Sequence, residues 1–195
     1  MLFLAMCIFA IYNLLSLGAI LWLYTTFNDK KLNSRDEIGI KKVEKENATI
    51  TFVSILIAFC GVLFYAIPIS NVFYPLSIVK GLGFAAIPSI LVTSFITIAI
   101  CEEITFRGLL LSVLEKKFKP RIANILQSFA FGLFNVFLHY SRVNLVEALC
   151  IFAATSLIGL YLGCIKQKAA NGSILPGIIS VGLAYTVAMW LIAFV

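Results

Sequence analysis

Runs of about twenty apolar residues, separated by short charged segments, constrain this chain more than any other feature. Such a run matches the hydrocarbon thickness of a bilayer when it is helical. Six can be marked out: 2–27, 48–69, 81–114, 122–138, 148–165 and 174–195. None alternates polar with apolar residues, so a membrane β-barrel is excluded. The expected fold class is all-α, a polytopic transmembrane helical bundle of about six spans. The expected organisation is a first transmembrane helix over 1–27, a basic loop over 28–47 and a membrane core over 48–195.

Composition supports the same class. The chain has 195 residues, of which 62% are hydrophobic, with 15 Lys and Arg against 9 Asp and Glu. The net charge of +6 does not point to nucleic acid, because the basic residues sit between apolar spans. The loops after the first, third and fifth spans carry six, four and two Lys or Arg, whereas those after the second and fourth carry one each. That alternation predicts cytoplasmic basic loops and both termini outside. The expected location is that of a multi-pass integral protein, in a bacterial plasma membrane.

The five cysteines all lie in apolar runs without a CxxC pair, and they read as small buried hydrophobes. The first run starts apolar with no basic n-region and is too long for a signal-peptide core, so it is expected to be retained. The polar segment 28–47 is expected to be a solvated loop. Gly159 and Gly163, four residues apart, allow a neighbouring helix to approach, within the bundle in preference to a dimer.

Charges inside the third span stand out against this background. Glu102, Glu103 and Arg107 lie in Cys101-Glu102-Glu103-Ile104-Thr105-Phe106-Arg107. A charge at the bilayer centre costs about 2.5–3.5 kcal/mol on insertion scales, so such a cluster marks a functional site by default. Glu103 and Arg107 are i and i+4 on a helix and can pair. Glu102 is rotated by about 100° and can face a different cavity. A carboxylate so placed suits general-base work.

Depth predicts a partner. Counting equally far on either side of the basic turn at 115–121, the acidic pair stands level with Phe134 and Asn135 of the next span. His139, the only histidine, lies one turn further out. It reads either as an accessory group or as a residue of the membrane interface beside Tyr140.

Glu-Glu-x-x-x-Arg in a central membrane helix resembles the first motif of the CAAX protease and bacteriocin-processing (CPBP) family, relatives of the type II CAAX prenyl endopeptidases. The downstream order is similar too: a basic turn, a Phe-Gly-Leu-rich helix, a Gly-containing helix, and a last helix opening at Ser173-Ile174-Leu175-Pro176. The resemblance covers about residues 50–195 and implies a glutamate-type intramembrane endopeptidase acting on membrane-associated peptides or proteins. It makes Glu102 the base that activates water, with Glu103 and Arg107 in support. In the second motif, Phe131-Gly132-Leu133-Phe134-Asn135, asparagine stands where the family has histidine. Asn135 can orient a water but takes no proton at neutral pH. The third motif should fall near Ser180 or Val181, yet residues 176–195 contain no His, Asn or Asp. Ser180 and Thr186 offer one hydroxyl each.

The candidate catalytic set is therefore Glu102, Glu103, Arg107 and Asn135, with His139 and Ser180 as accessory candidates. No cofactor is expected, and a zinc site would have only Glu102, Glu103, Asn135 and His139 to draw on. The other reading is a catalytically reduced relative that binds a membrane partner, as in bacteriocin self-immunity or regulation. The expected partners are the lipid bilayer and a membrane-associated peptide or protein. A transporter is disfavoured, since neither paired broken helices nor an inverted repeat is visible.

Overall fold

The computed structural model describes residues 38–43, 48–66 and 79–195, together with Cys7, Ile11, Asn13 and Gly18. Among the described residues, five helices are long and apolar enough to cross a membrane. We number them α1 (Ala48–Ala66), α2 (Gly83–Glu115), α3 (Pro120–His139), α4 (Leu145–Ala169) and α5 (Leu175–Ala193). The chain is thus an integral, multi-pass, all-α membrane protein. Five helices, where about six were expected, stand in the described residues. The remaining expected span, 1–27, lies outside them apart from those four single positions.

Local chemistry explains where the helices begin. Pro120 opens α3, where its fixed φ is an advantage and its missing N–H costs nothing. A reciprocal capping box opens α4: Asn144 Oδ1 accepts from the Glu147 N–H at 2.9 Å, and Glu147 Oε2 accepts from the Asn144 N–H at 2.8 Å. Asn171 and Gly172, both at positive φ, turn the chain back from α4 to α5. Pro176 lies in the first turn of α5.

The long helix α2 is not uniform. A 3₁₀ turn over Gly83–Ala86 leads into a short α segment, Ile87–Leu91, with Pro88 in its first turn. Beyond it are two widened π-helical stretches, Val92–Ile100 and Glu103–Leu110, on either side of Cys101 and Glu102. Pro88 therefore lies where the helix type changes. π-Helical turns are rare and are found mostly at functional sites.

The most extensive pairings are α3 with α4, α1 with α5, and α5 with α2. Small residues make them close. A Cβ on Gly159 would press on Phe131 at 3.1 Å, and one on Gly163 would overlap the Asn124 amide. That amide donates to the Leu160 carbonyl at 2.9 Å. The Gly159/Gly163 face thus packs within the bundle, against α3. The main core gathers α1, α2, α4 and α5 around Val62, Ile98, Leu162, Val181 and Met189. Large apolar side chains such as Phe64, Phe137, Leu145 and Leu157 point outward, as lipid contact requires.

The segment 38–43 departs from the solvated loop expected of 28–47. Ile38 is buried and packs with Ile104, Leu109 and Ile174, close to Gly108. The Gly39 carbonyl accepts from the Ile174 N–H at 2.9 Å, and Ser173 Oγ donates to the Lys41 carbonyl at 2.6 Å. An apolar residue of a highly charged segment here serves as an anchor to the basic end of the bundle.

Candidate functional site

The three charges of α2 occupy two distinct environments. Arg107 Nη1 lies 3.1 Å from Glu103 Oε1, and both side chains are almost completely buried. The guanidinium carbon also lies 4.3 Å from the centroid of the Phe131 ring on α3, a cation–π contact strengthened by exclusion of water. Phe106 meets Phe131 edge-on, with centroids 4.9 Å apart, and holds that ring in place. On the other side, Glu103 faces the first turn of α5 at Gly177. A Cβ there would overlap the Glu103 carboxylate. Only glycine lets the helix pass this close to the acid.

Lys166 completes the ion-pair cluster. The reading of Lys166-Gln167-Lys168 as a loop placed this residue outside the fifth span. The structure continues α4 through Ala169 and buries Lys166. Its Nζ donates to the Arg107 carbonyl at 2.6 Å and to Ser112 Oγ at 2.9 Å, and it stands within electrostatic reach of Glu103. Hydrogen bonds from charged donors contribute about 1.5–3 kcal/mol. Lys166→Met is therefore expected to destabilise the chain by about that amount in detergent unfolding measurements, while Lys168→Met, further along the same segment, changes it by less than 0.5 kcal/mol, roughly the spread of ordinary surface substitutions.

Glu102 belongs to the second environment. It lines a narrow cavity with room for roughly one water molecule. Every described spanning helix contributes to the lining: Val62 and Tyr65 from α1, Glu102 from α2, Phe131 and Asn135 from α3, Thr155, Ile158 and Leu162 from α4, and Val181 and Tyr185 from α5. Glu102 and Asn135 thus share one cavity. Asn135 Nδ2 donates to the Phe131 carbonyl at 2.9 Å. Thr155 Oγ1 donates to the Ile151 carbonyl at 2.7 Å. The Tyr65 hydroxyl is buried and has no hydrogen-bond partner among the described residues. Tyr65 and Tyr185 both lie within electrostatic reach of Glu102.

The two accessory candidates stand elsewhere. His139 is the last residue of α3 and is buried, with Nδ1 2.6 Å from the Asn135 carbonyl. It is one turn beyond Asn135 and is not among the residues lining the cavity. Ser180 is buried in α5, and its hydroxyl donates to the Pro176 carbonyl at 2.7 Å. Its neighbour Val181 faces the cavity in its place, with Tyr185 one turn further on. Thr186 likewise donates to its own helix, to the Gly182 carbonyl at 2.7 Å.

Sequence reasoning did not single out Tyr65, Thr155 or Tyr185, and it named Val181 only as a position for the third family motif. The one signal available was spacing: Val181 and Tyr185 are i and i+4, and Val181 is one of the two positions where the third family motif should begin. Among the described residues no group of three or more His, Cys, Asp or Glu side chains is gathered as a metal site would need. Two acids and an amide without imidazole or thiolate do not suit tetrahedral zinc.

A family model described as type II CAAX prenyl endopeptidase Rce1-like matches residues 84–187, more than half of the chain. The matched stretch runs from the start of α2 to just beyond Tyr185, and it includes the ion-pair cluster and most of the cavity lining. No curated protein and no solved structure matches the chain.

Proposed function

The chain belongs to the type II CAAX prenyl endopeptidase Rce1-like family, and from that premise we propose that it is a catalytically reduced member acting as a membrane interaction protein. Its role would be to bind and regulate a membrane-embedded peptide or protein, with bacteriocin self-immunity as the family role that fits. One observation carries this reading. The residues that line the cavity with Glu102 include Asn135, Val181, Tyr65 and Tyr185, and the lining contains no imidazole. Near neutral pH an amide and an aliphatic side chain exchange no proton and a phenol keeps its own, so none of these replaces an imidazole as the proton-exchanging partner of Glu102. The cavity is also too narrow for a scissile peptide without movement of the helices around it.

A second reading rests on the intact first motif. Glu102 stands apart from the Glu103–Arg107 pair, which is the division a glutamate-type endopeptidase needs. In that reading Glu102 activates a water and Asn135 orients it.

Reconstitution in liposomes with membrane-tethered, prenylated peptides decides between them. The expected result is no cleavage by the wild-type chain, with protection against a membrane-active peptide retained by Glu102→Gln in cells. Cleavage by the wild type that disappears in Glu102→Gln would overturn the non-hydrolytic reading in favour of the second.

A further inference from the structure

The segment 38–43 crosses the basic end of the bundle where α2 and α5 part. Its first residue, Ile38, fills an apolar seat made by Ile104 and Leu109 of α2 and by Ile174 at the start of α5. Ile100, Cys101 and Ile178 pack behind that seat. Glu103 directly precedes Ile104, and Gly177, which faces the Glu103 carboxylate, lies about one turn beyond Ile174. Ile38 therefore stands in the same α2–α5 seam as Glu103, one turn nearer the basic end. Two glycines make room for it. A Cβ on Gly108 would meet Ile38 Cγ2 at 2.9 Å, and a Cβ on Gly39, whose φ is +88°, would overlap the Gly172 carbonyl.

The fastening is slight. Besides the Ile38 seat, the Gly39 carbonyl accepts from the Ile174 N–H at 2.9 Å, the Lys41 carbonyl accepts from the Ser173 hydroxyl at 2.6 Å, and Val43 rests on the main core. Ile40 and Lys42 are exposed. Against these contacts stands the backbone entropy of an ordered segment, and its hydrogen bonds can be exchanged for bonds to water. Charge works in the same direction. The Lys41 ammonium lies against Gly172 and within electrostatic reach of the buried Lys166, which has the same sign. A unit held in this way opens at a lower free energy than the helices it covers. The Ile174 N–H reports such opening directly, because Ile174 is the N-cap of α5 and has no acceptor for that group within the helix.

We infer that residues 38–43 are a releasable strap that closes the α2–α5 seam at its basic end, and that release admits water to the seam beside Glu103. With Ile38 seated, the approach to the Glu103–Arg107 pair from this end is filled by an aliphatic side chain. With the strap released, the apolar seat, the Ile174 N–H and the Ser173 hydroxyl are uncovered together. The strap thus controls access to the ion-pair layer. This device goes beyond the non-hydrolytic reading and holds whether or not the chain cleaves peptides.

The test is amide hydrogen exchange on the full chain in nanodiscs, read at Ile174 and at Ala184 and Ala188, two buried positions inside α5. Ile174 is expected to exchange well ahead of the two alanines in the wild type. Ile38→Ser and Gly39→Ala are each expected to speed exchange at Ile174 roughly tenfold and to leave the alanines unchanged. Should Ile38→Ser fail to fold, Gly39→Ala, which alters neither helix, carries the comparison. Access is read separately with Ile104→Cys in a chain whose native cysteines are replaced by alanine. A charged, water-soluble thiol reagent is expected to label it faster in the same strap variants. Exchange at Ile174 as slow as at the alanines in the wild type would make the segment a fixed anchor and overturn the strap. So would unchanged exchange in both strap variants, or equal acceleration at all three amides. Faster exchange at Ile174 without faster labelling of Ile104→Cys would show a segment that moves but guards nothing, and would overturn the control of access.

Discussion

Replacing Glu103 with alanine is expected to destabilise the chain by about 3–5 kcal/mol, the usual consequence of removing one partner from a buried ion pair. The cost comes chiefly from what remains. Arg107 is fully buried, and its Nε, Nη1 and Nη2 have no geometrically aligned hydrogen-bond partner among the described residues. Without Glu103 the guanidinium would keep the Phe131 ring and the weaker electrostatic reach of Glu102, but no paired carboxylate. Replacing both partners removes the stranded charge, so Glu103→Leu with Arg107→Met is expected to recover most of the loss. Glu102→Gln, which leaves that pair intact and keeps a similar shape, is expected to cost clearly less than Glu103→Ala. Unfolding titrations of these variants in detergent check the values. Equal costs for the two glutamates would contradict the division between an ion-pair acid and a cavity acid.

Gly177→Val should rank beside it. A Cβ at this position would come within 2.7 Å of Glu103 Cδ, and closer still to Oε2. The carboxylate has little room to retreat, because Arg107 holds it from the other side at 3.1 Å. Overpacking of this kind costs about 1–3 kcal/mol, and the cost moves toward that of a broken ion pair if the acid is displaced. Gly177→Ala is expected to show a smaller effect of the same sign. The decisive comparison is a double-mutant cycle: the penalty of Gly177→Ala should shrink when Glu103 is already alanine. Additive penalties would show that the glycine is needed for something other than passage of the acid.

Much of this was legible in the residues themselves. The spans from α1 to α5 emerge from apolar run length, and their ends differ from the observed ones by a few residues. The Glu103–Arg107 pair is implied by i,i+4 spacing, which still brings the two together within a π-helical stretch. The meeting of Glu102 and Asn135 is implied by equal depth on either side of a tight hairpin. Other features were hidden for identifiable reasons. Lys166 lies close to a basic turn, and only the continuation of α4 through Ala169 carries it back under Arg107. Ile38 lies in the segment expected to be a solvated loop, and its burial depends on the small Gly108 beside it.

By itself, then, the sequence determined the class of the molecule, its spanning segments and the helix that carries the charge. Hydrocarbon thickness sets the length of an apolar run, and the cost of a buried charge makes each one conspicuous. Only the tertiary structure decided which residues surround Glu102. The helices α1, α4 and α5 are apolar on nearly all sides. Such a helix carries no stripe that records its rotation about its own axis. That rotation is set by packing against neighbours, through contacts such as Gly177 on Glu103 and Gly163 on Asn124. Packing turns Tyr65, Thr155, Val181 and Tyr185 toward the acid and turns Ser180 away from it.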